Sequence, residues 1–187
     1  MDYIVDLQKH IIDTSLKNGA LLVGFTKIRR IEPVIILGFP FSDEWFLKNP
    51  IKITKQLGKD YKQSKNVQRK LNKILTKEDF YSQNKSVLSI YGDFRPLAVS
   101  ANLGEWGRNG LVVNEKYGSN LLFAATFTNA PFDTQNNNNN LKHCNDCKKC
   151  ISSCPNNAFE NNRFHFLRCL PYALKGCSEC LKNCSKN

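Results

Sequence analysis

"HCNDCKKCISSCPNNAF", residues 143–159, sets four thiols within eleven residues, at Cys144, Cys147, Cys150 and Cys154, with Pro155 directly after the fourth. Four more stand at Cys169, Cys177, Cys180 and Cys184, so every cysteine of the 187-residue chain lies beyond residue 143. No stretch approaches eighteen consecutive apolar residues, and the opening "MDYIVDLQKHIIDTSLKN" threads acids and bases through what would be the apolar core of a secretory signal. The expectation is a cytoplasmic protein without a membrane segment. In a reducing compartment dithiols are kept open, so thiols clustered in this way argue for metal ligation over a disulfide framework.

Zinc is the competing metal, since two four-thiolate sites would also take eight cysteines. Zinc modules, however, pair two C-x2-C knuckles well apart in the chain, whereas here three thiols come from one short loop and the fourth precedes proline. That is the bacterial ferredoxin run C-x2-C-x2-C-x3-C-P, whose fourth cysteine ligates the other cluster of a pair. Successive short turns can aim Cys144, Cys147 and Cys150 at three irons of one cubane and turn Cys154 away from it. Symmetry then predicts two 4Fe-4S clusters, the first on Cys144, Cys147, Cys150 and Cys184, the second on Cys154, Cys169, Cys177 and Cys180. The second half departs from the plain run, with seven residues between Cys169 and Cys177 and with Ser185 where a second proline would stand.

The formal net charge is +11. Eight thiolates around two oxidised cores contribute about −4, leaving roughly +7. Much of the excess lies in residues 48–77, where ten lysines and arginines face one acid, Asp60. Such a segment can follow an RNA backbone or dock an acidic redox partner. The plain alternative is a solvated helix face, because Tyr61 is the one aromatic in it and base-stacking platforms are otherwise missing.

Upstream of the cysteines the pattern is that of one α/β domain, with 41% hydrophobic content and length enough for a core plus a small module. Ile4, Leu7, Ile11, Ile12 and Leu16 recur at helical spacing over 3–17, and Gly19 stops the helix. "ALLVGF" (20–25) and "PVIILGF" (33–39) predict buried strands, and a second helix is expected over about 60–76. "SVLSIYG" (86–92) predicts a strand, "RPLAVSANLG" (95–104) a short helix, and "LLFAATFT" (121–128) a strand. Five asparagines, Asn136 to Asn140, make a polar connector. The domains expected are therefore 1–135, a connector at 136–140, and a ferredoxin-type module at 141–187. His143, next to the first ligand, could tune a cluster through a hydrogen bond or simply face solvent. His10, His165, Trp45 and Trp106 read as structural.

Gly104, Gly107 and Gly110 in "GEWGRNG" match neither the dinucleotide nor the P-loop spacing. In company they carry more. The order "ANLGEWGRNGLVVNEKYGSNLLFAATFTNAPF", then the ferredoxin run, then an isolated Cys before C-x2-C-x3-C, resembles the epoxyqueuosine reductases and corrinoid-dependent reductive dehalogenases over residues 86–184. The matching elements are Gly107 to Asn109, Leu111 to Val113, Tyr117 to Ser119 and Thr128 to Pro131, with Gly104-Glu105 closer to the dehalogenases. "GKDY", Gly58 to Tyr61, resembles the start of an Asp-Tyr-His element, with Lys62 in the histidine's place. The resemblance implies a nitroreductase-like α/β domain holding base-off cobalamin beside two clusters, with Gly104, Gly107, Arg108 and Asn109 as tentative cobalamin contacts. It also implies a carboxylate proton donor, but a gapless count back from Gly104 puts Leu88 at that position. Asp93 is the one acid in that strand and turn, a weak catalytic candidate with a turn-capping role as its alternative. The helical-repeat tail of tRNA-acting members is not expected after Cys184.

Three readings follow. One is a corrinoid-dependent oxidoreductase fed by the clusters. The second is an electron carrier without cobalamin that serves a partner enzyme, and in both an electron-donor protein is the expected partner. The third is an RNA-binding relative that uses the basic 48–77 segment.

Overall fold

The computed structural model describes residues 2–28, 32–41, 50–87, 93–134, 144, 147–160 and 163–184. The chain forms two compact units. The first comprises Met1–Pro40, Leu57–Leu103 and Leu122–Asn138, and the second Phe41–Gln56, Gly104–Leu121 and Asn139–Asn187.

In the first unit, α1 (Asp2–Lys17) buries Leu7 and Ile11. The next inward position belongs to Ser15 and not to the expected Leu16, which is 45% exposed. Ser15 is tolerated there because its hydroxyl donates to the Ile11 carbonyl at 2.8 Å. Gly19, at φ +101°, lets the Ala20 N–H turn back to the Ser15 carbonyl at 3.1 Å and ends the helix. The strands β1 (Leu22–Ile28) and β2 (Glu32–Pro40) pair antiparallel, setting Phe25 opposite Ile35 and Val23 opposite Leu37. Helix α2 runs from Pro50 to Lys77, starting ten residues before the expected position. Proline at the first helical position suits an N-terminus, and Gly58 is absorbed within the helix.

β3 (Ser82–Lys85) and β6 (Leu121–Thr128) complete a four-stranded sheet in the order β1-β2-β6-β3, and β3 pairs antiparallel with β6. Between them in sequence lie α3 (Arg95–Ser100), β4 (Glu105–Trp106) and β5 (Val112–Val113). Leu7 and Ile11 of α1 and Val67, Leu71 and Leu75 of α2 pack on Phe25, Ile35, Leu37 and Phe39 of the sheet, and Phe132 meets Phe25 with ring centres 4.8 Å apart. The opposite face of β1 meets α3, where Thr26 and Ser100 hydroxyls hydrogen-bond at 2.7 Å. Removal of so much apolar surface from water is the main stabilising term of this unit.

The strand expected over 86–92 is not found at Ser86 and Val87, and residues 88–92 lie outside the described residues. So do Trp45, the Asn136–Asn140 connector and His143. Among the described residues no helix is long and apolar enough to cross a membrane.

The second unit holds the β4–β5 hairpin, in which Glu105 faces Val113 and Trp106 faces Val112. It also holds the cysteine-rich tail: α4 (Lys149–Ser152), β7 (Phe159–Glu160), β8 (Arg163–Phe164), α5 (Phe166–Ala173) and α6 (Glu179–Lys182). The fold is thus mixed α/β with a C-terminal segment of ferredoxin-like character.

Candidate metal centre

Thirty residues apart in sequence, α4 and α6 repeat one local structure. In the first, Ile151 and Ser152 N–H groups donate to the Lys148 carbonyl, Ser153 to Lys149 and Cys154 to Ile151. In the second, Leu181 and Lys182 donate to Ser178, Asn183 to Glu179 and Cys184 to Leu181. Each single-turn helix therefore carries Cys150 or Cys180 and ends by placing Cys154 or Cys184 just past the turn. The two helices pack on each other, and the Ser153 hydroxyl donates to the Glu179 carbonyl at 3.4 Å.

All eight thiols are half-buried. Burial pushes the Cys150 thiol up, and the nearby charges of Cys144, Cys184 and Cys147 push it further. Burial likewise raises Cys169, followed by Cys154 and Cys177. Cys180 is pushed up to about 11, first by burial and then by Cys169, Cys150, Cys177 and Cys154. Cys150 thus lies near Cys144, Cys147 and Cys184, and Cys180 near Cys154, Cys169 and Cys177 as well as near Cys150. Without metal the raised values keep these thiols protonated at neutral pH, and a positive core would favour their thiolate forms. Among the described residues no three His, Cys, Asp or Glu side chains converge on a point that would hold a single metal ion. Eight half-buried cysteines in this one segment are in keeping with 4Fe-4S clusters. The Ala158 N–H donates to Cys154 Sγ at 3.3 Å, a bond of the kind that tunes cluster potential, and no sequence pattern announced it.

The "GEWGRNG" residues serve the hairpin that carries them. A Cβ on Gly104 would come within 2.6 Å of the Val113 carbonyl oxygen, and one on Gly107 within 2.7 Å of Asn109 Oδ1 and Val113 Cγ2. Asn109 is buried and its Oδ1 accepts the Leu111 N–H at 3.1 Å. Arg108 donates from Nε to the Cys144 carbonyl at 3.0 Å, which ties the hairpin to the first ligand loop. Glycine is required at 104 and 107 because the chain's own atoms fill the space that a Cβ would take.

Asp93 caps the turn into α3. Its Oδ1 accepts the Arg95 N–H at 3.0 Å, and both oxygens accept from the guanidinium at 2.7 to 3.0 Å. The Arg95 hydrogen bond holds the carboxyl below its ordinary range against a smaller opposing effect of burial. A carboxyl held ionised is a poor proton donor near neutral pH. Because the folded-state value lies below the unfolded one near 3.8, the pair stabilises the fold above that pH, and the contribution is lost as pH falls through the folded value. Asp93→Asn should therefore cost no more than about 1 kcal/mol at pH 7, as expected of a partly exposed pair. Thermal melts taken progressively below pH 3.8 should show the difference from wild type shrinking.

On α2, Lys59, Lys62, Arg69, Lys73 and Lys77 are exposed and lie opposite the buried Asp60, Ser64, Val67, Leu71 and Leu75. Lys65 Nζ sits over the Tyr61 ring, 4.7 Å from its centre.

No family model matches the chain. It is 34% identical over 113 residues to the tetrachloroethene reductive dehalogenase of Dehalobacter restrictus, an alignment that takes in 57% of this chain and 19% of that one. With the epoxyqueuosine reductase of Staphylococcus aureus it shares 29% identity over 112 residues, 50% of this chain and 29% of the relative. The chain thus spans a fifth to a third of the length of these curated relatives. A solved epoxyqueuosine reductase superposes with a TM-score of 0.73 at 16% identity, covering 98% of this chain and 66% of that one. A reductive dehalogenase of B12-dependent dehalogenation superposes at 0.75 with 17% identity, covering 93% of this chain and 31% of its own. In sequence over about half its length, and in fold over nearly all of it, the chain is related to the epoxyqueuosine reductases and reductive dehalogenases.

Proposed function

We propose that the chain is an iron-sulfur oxidoreductase module in which two 4Fe-4S clusters pass single electrons to an acceptor. The observation that supports this reading is that eight half-buried thiols stand on and around the repeated α4 and α6 turns, with Cys150 near Cys144, Cys147 and Cys184 and Cys180 near Cys154, Cys169 and Cys177. In this reading Cys144, Cys147, Cys150 and Cys184 hold one cluster, and Cys154, Cys169, Cys177 and Cys180 the other. The clusters supply one-electron chemistry. The chain's own part is to hold eight deprotonated sulfurs in place, to donate the Ala158 N–H to Cys154, and to fix the Cys144 loop through Arg108. The first unit is then a nitroreductase-like scaffold.

A second reading makes that acceptor a cobalamin. Likeness to a reductive dehalogenase of B12-dependent dehalogenation favours it, while the engagement of Gly104, Gly107, Arg108 and Asn109 within their own hairpin disfavours those four as its contacts. Titration of the cluster-loaded chain with cob(II)alamin separates the two. No base-off spectral change is expected at micromolar concentration. A base-off change that Arg108→Ala weakens about tenfold, the loss of one charge-assisted contact of about 1.5 kcal/mol, would establish the corrinoid reading instead.

A further inference from the structure

Helix α5, "FLRCLPYA", is mostly apolar, yet none of its residues is buried. Leu167 is 81% exposed, Leu174 at the helix C-cap 80%, and Phe166 59%. At 100° per residue Phe166, Leu167, Leu170 and Leu174 fall on one stripe about 100° wide, and Phe164 of β8 is also exposed, at 45%. Isolated apolar side chains on a surface need no explanation, but a stripe of them on one short helix marks an interaction face.

The charges around the stripe have one sign. Both described acids of the tail are neutralised, Glu160 by Arg168 at 2.6 Å and Glu179 by Lys182 at 3.0 Å. Lys148, Lys149, Arg163 and Lys175 are exposed. Arg163 directly precedes Phe164 and Lys175 directly follows Leu174, so cations bracket the apolar stripe at both ends. The same helix contributes Cys169, about 60° around the helix from Phe166 at the stripe's edge and close to Cys154, Cys177 and Cys180. Anything seated on α5 therefore lies within about one helix diameter, roughly 10 Å, of Cys169.

We propose that the α5 stripe is the docking surface for a small acidic one-electron carrier protein, through which electrons enter the clusters. This rests on the electron-relay reading above. In the step, the carrier's reduced iron-sulfur centre loses one electron and one 4Fe-4S core goes from the 2+ to the 1+ state. No bond forms or breaks and no proton need move. The apolar stripe supplies the desolvated centre of the contact, and Arg163 and Lys175 steer an acidic rim onto it.

The test uses the chain with both clusters in place, mixed anaerobically with a reduced plant-type 2Fe-2S ferredoxin, an acidic carrier, and followed by stopped-flow absorbance. Leu167→Glu and Leu174→Glu should each slow the second-order reduction about tenfold, as loss of a contact-centre anchor does. Lys175→Glu should slow it about threefold and flatten its dependence on salt. These side chains are exposed, so folding and iron content should not change. Dithionite, which needs no docking surface, should reduce wild type and variants alike. If dithionite reduces nothing in the wild type, the electron-relay reading itself fails. If dithionite reduces the clusters but the ferredoxin does not, or reduces Leu167→Glu as fast as wild type, the docking proposal is overturned. A dimer in light scattering that Leu167→Glu dissolves would give the face to a second copy. Binding to anionic vesicles that the same variant abolishes would give it to a lipid surface. Either result also overturns the proposal.

Discussion

Anaerobically isolated protein should carry about eight irons and eight acid-labile sulfides per chain, and Cys180→Ser should carry four or fewer. The Cys180 thiol is the one pushed up to about 11, by burial first and by four neighbouring cysteines after it. Three of those belong to its own set and the fourth, Cys150, to the other. A serine hydroxyl keeps its proton at neutral pH and is a weak ligand for iron, so the cluster of Cys154, Cys169, Cys177 and Cys180 should not assemble. Because Cys180 also lies near Cys150, the remaining cluster should show a shifted electron paramagnetic resonance signal when reduced. Cys144→Ser, at the edge of its loop, should remove one cluster and leave the second unchanged. Iron and sulfide assays with reduced-state spectra check both. Stoichiometric zinc without sulfide, or a Cys180→Ser protein retaining eight irons, would refute the assignment.

The parts of the fold that could be read in advance are those where burial has a period. α1, β1, β2, α3 and β6 fall close to their expected positions because Leu7 and Ile11, Val34 to Leu37, and Phe123 to Ala125 are apolar for the core's sake. Position 15 shows the limit, since a serine that bonds its own helix can occupy an inward position that the pattern gave to Leu16. β3, "SQNK", has no apolar alternation to read. It is held by main-chain pairing with β6 and by Gln68 of α2, which donates to the Lys85 and Ala125 carbonyls, each at 3.0 Å. Its partners are distant in sequence, so no local rule could place it. The cysteine spacing of the candidate centre was legible because the ferredoxin run is a pattern of chain-neighbouring residues. The hairpin at 104–113 was not, since glycines that admit a ligand and glycines that admit the chain's own Val113 and Asn109 look alike in sequence. Nor does any local pattern show that Arg108 would reach a carbonyl 36 residues away.

Removing the clusters should unfold the tail while the first unit stays folded. In the described part of the tail only Ala158 and Leu181 are buried, and Leu181 contributes at most about 3 kcal/mol. Ordering a backbone costs about 1–2 kcal/mol per residue, so two small contacts cannot hold roughly forty residues in place. The secondary structure there is equally slight: α4 and α6 are four residues each, β7 and β8 two each, and α5 exposes most of its length and contains Pro171. Ligation has to supply the difference, as it does in small metal-dependent domains whose metal-binding free energy is their folding free energy. The first unit rests instead on Phe39, Phe132, Ile11, Ile35, Leu71 and Leu75, all essentially inaccessible to solvent, and needs no metal to keep them so. Limited proteolysis of protein stripped of iron under reducing conditions should therefore cut first at the exposed Arg163, Arg168 and Lys175, at least tenfold faster than in the loaded form, and leave α1, α2 and the four-stranded sheet as a resistant fragment. The physical cause is repulsion as much as missing attraction: without iron the thiols of each set must either stay protonated or face one another as anions, and neither state draws four chain segments to one point. A stripped tail as resistant as the loaded one would mean that packing alone holds the eight sulfurs in place, and would remove the main physical reason for reading the cysteines as cluster ligands.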